Sequence, residues 1–171
     1  MSGMIPRALE PPPGPVSVLT SELVWKAVEM SRRSPRRRVI LPLHPSHADP
    51  LHRMLNAVQP GTYIQPHRHL APPKAEAIVV LRGAVRFFVF TEMGEIAQAH
   101  TLSAASGQLG LDARPGVYHT FVTLEADTVL FEVKPGPYQI TTDKEFAPWA
   151  PAEGSLAASE YLRRLEEVIG R

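Results

Sequence analysis

The sequence predicts an all-β domain, a sandwich or barrel, with a helix at either end. Between Val39 and Tyr138, short apolar runs rich in Val, Ile, Phe and Leu alternate with turn residues. They give eight candidate strands at roughly 10-residue spacing. No long segment of helical period interrupts them, so a parallel α/β sheet is not expected. Eighteen of the 171 residues are proline, which suits neither helix interiors nor central strands and implies short elements cut by many turns.

In chain order, residues 1–16 hold Pro6, Pro11, Pro12, Pro13 and Pro15 and read as a flexible, polyproline-like arm. Over 17–35, Leu19, Leu23, Ala27 and Met30 recur at helical spacing. Thr20 or Ser21 can cap that helix, and Pro35 blocks continuation beyond Ser34. The barrel is placed at 36–140, with strands at Val39–Leu43, Arg53–Val58, Tyr63–His69, Ala77–Leu81, Val85–Phe90, Ile96–Leu102, Val117–Val122 and Thr128–Val133. Arg82-Gly83 and Met93-Gly94 read as hairpin turns, and Glu125-Ala126-Asp127 links the last two strands. The extension, 141–171, is proline-interrupted through Trp149 and Pro151. Ser155 then caps a helix with Leu156, Ala157, Tyr161, Leu165 and Val168 on one side and Gly170 at its end. Trp25 and Trp149 read as packing residues, the second anchoring the extension over the barrel.

Composition narrows the function. Apolar residues are 44% and charged residues 20%, which excludes wholesale disorder. Eighteen Lys+Arg against 17 Asp+Glu leave a formal charge of +1, too little to predict nucleic-acid binding. With no cysteine, disulfides, thiolate nucleophiles, Cys-based zinc sites and iron–sulfur clusters are excluded. Neither a Gly-x-Ser-x-Gly elbow nor a P-loop is present. Residues 1–16 lack the apolar run of a secretory signal, and Ala77–Leu81 is too short to span a bilayer. A soluble cytoplasmic protein without nucleic-acid or membrane partners is the expectation.

The sharpest signal is His67 and His69, two apart on a predicted strand and so on one face of the pleat. Side by side, two imidazoles can reach one metal ion at roughly 2.0–2.1 Å. Glu76 opens the following strand, which as an antiparallel neighbour would return its carboxylate beside them. His119, on a later strand, can add a third nitrogen. On a six-coordinate ion this set leaves two positions for water or substrate. A lone His-x-His is as often a hydrogen-bonded pair as a ligand pair; the wider pattern favours ligands.

That pattern runs Gly61, His67-Arg68-His69, Glu76, Gly83, and it resembles the first cupin motif. Pro115-Gly116-Val117-Tyr118-His119 keeps the Gly-x-x-His spacing of the second, with Thr123 where asparagine is usual. The spacer before Glu76 is longer than the common one. Arg53-Met54-Leu55-Asn56-Ala57, Pro66-His67-Arg68-His69 and Pro72-Pro73-Lys74-Ala75-Glu76 further resemble WbuC-type cupin metalloproteins. So do Phe131–Tyr138 and Asp143–Trp149, so that the resemblance covers roughly residues 34–152. It implies a cupin double-stranded β-helix, a jelly-roll barrel, holding one metal. It also implies the bacterial surface-polysaccharide setting in which that family is often found.

Other residues join the candidate site. On the strand Thr128–Lys134, Glu132 and Lys134 share a face that either meets solvent or lines a polar cavity. In a cavity, Glu132 would accept a ligand His N–H or a substrate proton, and Lys134 and Tyr138 would hold an anionic group, with Tyr138 a second proton carrier. Gln65, two before His67, would point inward to substrate or metal-bound water, or serve as a structural amide. Lys74 is placed at the pocket mouth, and His44 is a further pocket candidate. His47, His52 and His100 read as surface residues. The arginines of Arg32–Arg38 either grip phosphate or form a solvated helix end, the second being favoured.

Two functional readings follow. One is an enzyme using a divalent ion (Zn, Fe, Mn or Ni) on a small polar, sugar-like substrate, by isomerisation, epimerisation or hydrolysis, with an iron-dependent dioxygenase as a variant. The other is a non-catalytic metal- or sugar-binding module. Exposed edge strands make a homodimer the expected assembly.

Overall fold

The computed structural model describes residues 6–169, so Met1–Ile5 of the arm and the Gly170 helix stop lie outside the described residues. Helix α1 spans Ser21–Arg33. Ten strands follow: β1 Arg38–Pro42, β2 Leu51–Val58, β3 His67–Arg68, β4 Glu76–Arg82, β5 Ala84–Phe90, β6 Ile96–Ser103, β7 Gly110–Ala113, β8 Tyr118–Thr123, β9 Thr128–Pro135 and β10 Glu145–Phe146. Helix α2 covers Leu156–Ile169. The strands form two antiparallel sheets, ordered β1-β2-β9-β4-β7 and β10-β3-β8-β5-β6. From β3 to β10 the chain changes sheet at every step except the β5–β6 hairpin. This winding is the expected jelly roll, a double-stranded β-helix.

Strand alternation sorts side chains into three apolar layers. On β9, Val129 and Phe131 face outward under α1, while Leu130 faces the space between the sheets. Thr20 caps α1, its hydroxyl accepting from Leu23 N–H at 3.3 Å. The helix buries Ala27 and Val28 completely against Val39, Leu41, Leu55 and Ala57. On the opposite outer face, α2 buries Ala158, Leu162 and Leu165 against Phe88, Phe90, Tyr118 and Val122, with Trp149 alongside as expected. Leu156, Ala157 and Val168 of the expected α2 face are exposed instead, because residues 158, 162 and 165 meet the sheet. Ser155 Oγ donates to Ala152 O at 2.7 Å.

Several connections differ from the sequence reading. Arg82-Gly83 is a crossing between sheets, not a hairpin. Gly83 has φ 74°, and a Cβ there would stand 2.2 Å from Thr128 Oγ1, so only glycine fits the corner. Glu125–Asp127 likewise carries the chain from one sheet to the other. The expected strand Tyr63–His69 shortens to His67–Arg68 because Pro66 has no N–H to give a ladder. Strands β7 and β10 are additional, the first masked by Gly110 and Asp112, the second only two residues long. Where the sequence reads as an arm, Arg7–Leu9 pair with β1: Leu9 N–H donates to Ile40 O at 2.8 Å, and Ile40 N–H to Arg7 O at 3.1 Å.

The arginine run is structural. Arg32 forks onto Asp127, Nε to Oδ1 at 2.8 Å. Arg36 and Arg38 each reach Glu153 at 2.7 Å, and Arg38 also donates to Thr62 Oγ1 and Tyr63 O. Arg37 donates to Pro60 O. These bonds tie the helix–β1 junction to the extension and engage the cations a phosphate would need.

Candidate metal centre

Pairing of β3 with β8 sets His67 directly opposite His119. His69 lies just past the end of β3. Imidazole nitrogens of the three residues come within 4.8 Å of one another. Glu76 joins them from β4, in the facing sheet: its carboxylate crosses the barrel and does not arrive from an adjacent strand, as the sequence suggested. Oε2 lies 3.0 Å from His119 Nε2, and Oε1 lies 3.8 Å from His69 Nε2. All four residues are at most 5% exposed.

Backbone carbonyls fix the tautomers. His67 Nδ1 is 2.9 Å from Gln65 O, His119 Nδ1 is 2.9 Å from Val117 O, and His69 Nδ1 bonds Asp143 O. A carbonyl can only accept, so each Nδ1 carries the proton and, in a neutral ring, each Nε2 presents a lone pair. The three lone pairs lie close together, and the Glu76 carboxylate stands beside two of them, those of His119 and His69. Among the described residues, His69 Nε2 is buried with no hydrogen-bond partner. Without a cation, a proton has to sit between His119 Nε2 and the Glu76 carboxylate, 3.0 Å apart, since Nδ1 already donates to Val117 O. A divalent ion bound by the Nε2 atoms of His67, His69 and His119, with Glu76, resolves all these conflicts together. The residues therefore fit a metal, their outer nitrogens held as metal-ligating histidines are held.

Electrostatics prepare the same state. Burial drives the His67 imidazole well below its ordinary value, with the charge of Lys144 adding to it. Burial likewise takes His69 down to about 4. For Glu76 burial acts upward, but the hydrogen bond and charge of His119 outweigh it and hold the carboxyl well below its usual range. Neutral His67 and His69 and an ionised Glu76 are the forms that bind metal. Phe87 stacks on His119, with centroids 5.4 Å apart and planes 13° from parallel, and fixes the ring plane.

Behind the ligands lies a second polar layer. The Glu132 carboxyl accepts from Asn56 Nδ2 and is hydrogen-bonded to Glu76; burial, then the Glu76 charge, raises it. It faces the interior, as its alternation allowed, but no ligand His N–H reaches it, since all three donate to carbonyls. Lys134 and Lys74 are also interior, and Asp143 bridges the two: Lys134 Nζ to Oδ2 is 2.9 Å and Lys74 Nζ to Oδ1 is 3.0 Å. Lys74 additionally donates to Pro137 O at 2.8 Å. Neither is a free cation at a pocket mouth.

Three other expected site residues lie elsewhere. Gln65 sits before β3 begins, so period-two alternation does not reach it. Its side chain donates to Ala150 O at 3.3 Å, and its carbonyl, not its amide, serves the site by orienting His67. Tyr138 packs on His47 at 5.0 Å between centroids and bonds no site residue through its hydroxyl. His44 stacks on His52 at 4.1 Å, with Nδ1 beside Arg53 O, at the end of the barrel beyond Lys134. His52 is buried rather than at the surface, because it pairs with Lys134 on the interior face of β2.

Three participants escaped the sequence reading: Asn56, Asp143 and Lys144. Asn56 was findable, two before the interior Val58 on the same strand face. The other two lie in the proline-interrupted tail, where no periodicity assigns a face.

A family model described as a domain of unknown function (DUF6016) matches residues 19–102. No curated protein matches. Similar solved structures include a variant of Bacillus subtilis oxalate decarboxylase, at 18% identity and TM-score 0.46, covering 58% of this chain and 24% of that one. Another is the capsular polysaccharide assembling protein CapF from Staphylococcus aureus, at 19% identity and TM-score 0.48, covering 58% of this chain and 27% of that one. The chain thus spans about a quarter of the length of these structures. What the centre can do has to be taken from its own atoms.

Proposed function

We propose that the protein is a metal-dependent enzyme acting on a small polar, sugar-like substrate by isomerisation, epimerisation or hydrolysis. The observation that carries this reading is the convergence of three Nε2 lone pairs, with the Glu76 carboxylate 3.0 Å from that of His119 and His69 Nε2 buried and without a hydrogen-bond partner among the described residues. A divalent ion there (Zn, Fe, Mn or Ni) supplies Lewis acidity toward a carbonyl or hydroxyl oxygen, or acidifies bound water. Glu132 is the proton carrier. It is hydrogen-bonded to Glu76, held protonated more readily than an ordinary carboxyl, and steadied by Asn56. Tyr138, turned onto His47, takes no part in proton transfer.

The finer reading, a WbuC-type protein of surface-polysaccharide metabolism working as a cytoplasmic homodimer, is supported by the sequence resemblance and by the barrel's edge strands. Among the described residues, no helix is long and apolar enough to cross a membrane. One observation favours a second reading, a non-catalytic binding module: the ligand side chains are almost wholly shielded from solvent.

Turnover of a panel of aldoses, ketoses and sugar acids, with metal stripped and then restored, separates the two. In the enzyme reading, restored metal returns activity. Glu132→Gln then keeps the metal and loses about 10²–10⁴-fold in rate. Substrate binding without chemistry on any candidate supports the binding module.

A further inference from the structure

We propose that Lys144 receives a carboxylate of the substrate, so that the ligand class of the metal centre is a small oxygenated acid of the sugar-acid kind. This rests on the metal reading above and narrows it. Three lysines approach the centre, and they differ in how they are paired. Lys74 and Lys134 are both spent on Asp143, Lys74 also on Pro137 O and Lys134 also within 3.6 Å of Glu132. Lys144 makes no hydrogen bond and no ion pair among the described residues, although its side chain is half-buried. A cation withdrawn from water without a partner is costly, and an anionic ligand is what relieves it.

Its place follows from strand pairing. β10 runs antiparallel to β3, with Phe146 opposite His67 and Glu145 opposite Arg68. Glu145 turns to the outer surface, where Arg68 grips its carboxylate at 2.5–2.9 Å. Phe146 turns to the other face, the one that carries His67, and Lys144 stands on the short link between it and Asp143, whose carbonyl bonds His69 Nδ1. The Phe146 ring is 6.3 Å from that of His67 and still half-exposed at the entrance. The charge of Lys144 is also the largest of those acting on His67, ahead of His119 and Glu76. Flanked by residues that contact His69 and His67, and acting on His67 by its charge, Lys144 belongs beside the metal ligands. One such cation suits a monoanionic carboxylate; a phosphate dianion would call on Lys74 and Lys134, which Asp143 already holds.

The test uses the full chain loaded with Co²⁺, as wild type, Lys144→Met and Lys144→Arg, with metal content measured in each. Glycolate, its neutral isostere glycolamide and inorganic phosphate are titrated in, followed by the visible cobalt absorption. The proposal expects equal metal in all three proteins. Lys144→Met should lose about tenfold or more in glycolate affinity, the worth of one charge-assisted contact, with glycolamide unchanged and Lys144→Arg close to wild type. Unaltered glycolate affinity in Lys144→Met overturns the proposal and leaves the metal reading standing. A loss confined to phosphate overturns the carboxylate assignment. A wild-type protein that takes up no cobalt overturns the metal reading and this proposal with it, and the metal measurement shows that separately. If Lys144→Met does not fold, Lys144→Gln replaces it with the same expectations.

Discussion

At the scale of single residues, Asp143 joins the most interactions while touching no metal-facing nitrogen. Its carboxylate holds Lys74 and Lys134, and its carbonyl orients His69. Asp143→Ala takes from two buried ammonium groups the carboxylate they share and should cost about 3–5 kcal/mol, measured by denaturant unfolding. Asp143→Asn, which keeps the carbonyl and an accepting oxygen, should cost less. His119→Ala instead removes a ligand, and should weaken metal affinity by more than the roughly 10–100-fold typical of losing an outer partner. A competition titration with a chelator dye reads this directly. The difference in legibility between these residues is physical. His67, His69 and His119 sit at fixed spacings on strands, where alternation assigns a face. That Glu76 stands beside the histidines was legible, but its route across the barrel was not, because spacing alone does not say which sheet the next strand joins. Asp143 and Lys144 lie in a tail whose conformation comes from tertiary pairing with β3 rather than from a local period.

At the scale of elements, the two helices show what capping and patterning can and cannot reveal. The start of α1 was readable from Thr20, and Thr20→Ala should destabilise by about 1 kcal/mol. For α2 the existence of the helix was readable, but its buried face was not. Several apolar stripes fit its sequence, and only the sheet it meets selects Ala158, Leu162 and Leu165. Leu162→Ala should therefore cost about 2–5 kcal/mol, whereas Leu156→Ala, at a position 98% exposed, should be nearly neutral in thermal unfolding. The attachment of α1 to the β8–β9 crossing is sensitive to acid. The hydrogen bond from Arg32 holds Asp127 below its ordinary 3.8, against the opposing effect of burial. A depressed folded-state value contributes stability that is present above the unfolded value and lost as pH falls through the folded one. Stability should thus decline below about pH 4, and Arg32→Ala should flatten that part of the pH profile. A profile unchanged in the variant would show that Asp127 gains nothing from Arg32.

For the whole molecule, the jelly roll brings strands distant in sequence into one interior, and the centre forms only when both sheets close. β3 and β8 supply the imidazoles, β4 supplies the carboxylate from the opposite side, and β10 seals the entrance. The all-β class was legible because proline and short apolar runs exclude other architectures. The sheet crossings at Gly83 and Glu125–Asp127 were not, because a turn sequence looks the same whether it closes a hairpin or spans two sheets. Metal binding and folding should accordingly be linked: at a free ion concentration of 100 times its Kd, a site present only in the folded state adds about 2.7 kcal/mol of stability. Chelation should lower the Tm of the parent and not that of a His67→Ala/His69→Ala variant. Analytical ultracentrifugation tests the assembly, a mass near twice 18.8 kDa supporting the homodimer and 18.8 kDa excluding it. The most direct measurement is the metal content of untagged protein by elemental mass spectrometry, beside the His67→Ala/His69→Ala variant. Near-stoichiometric metal in the parent and almost none in the variant is the predicted result. Only traces in both, with the parent still empty after incubation with divalent ions, would contradict the metal centre.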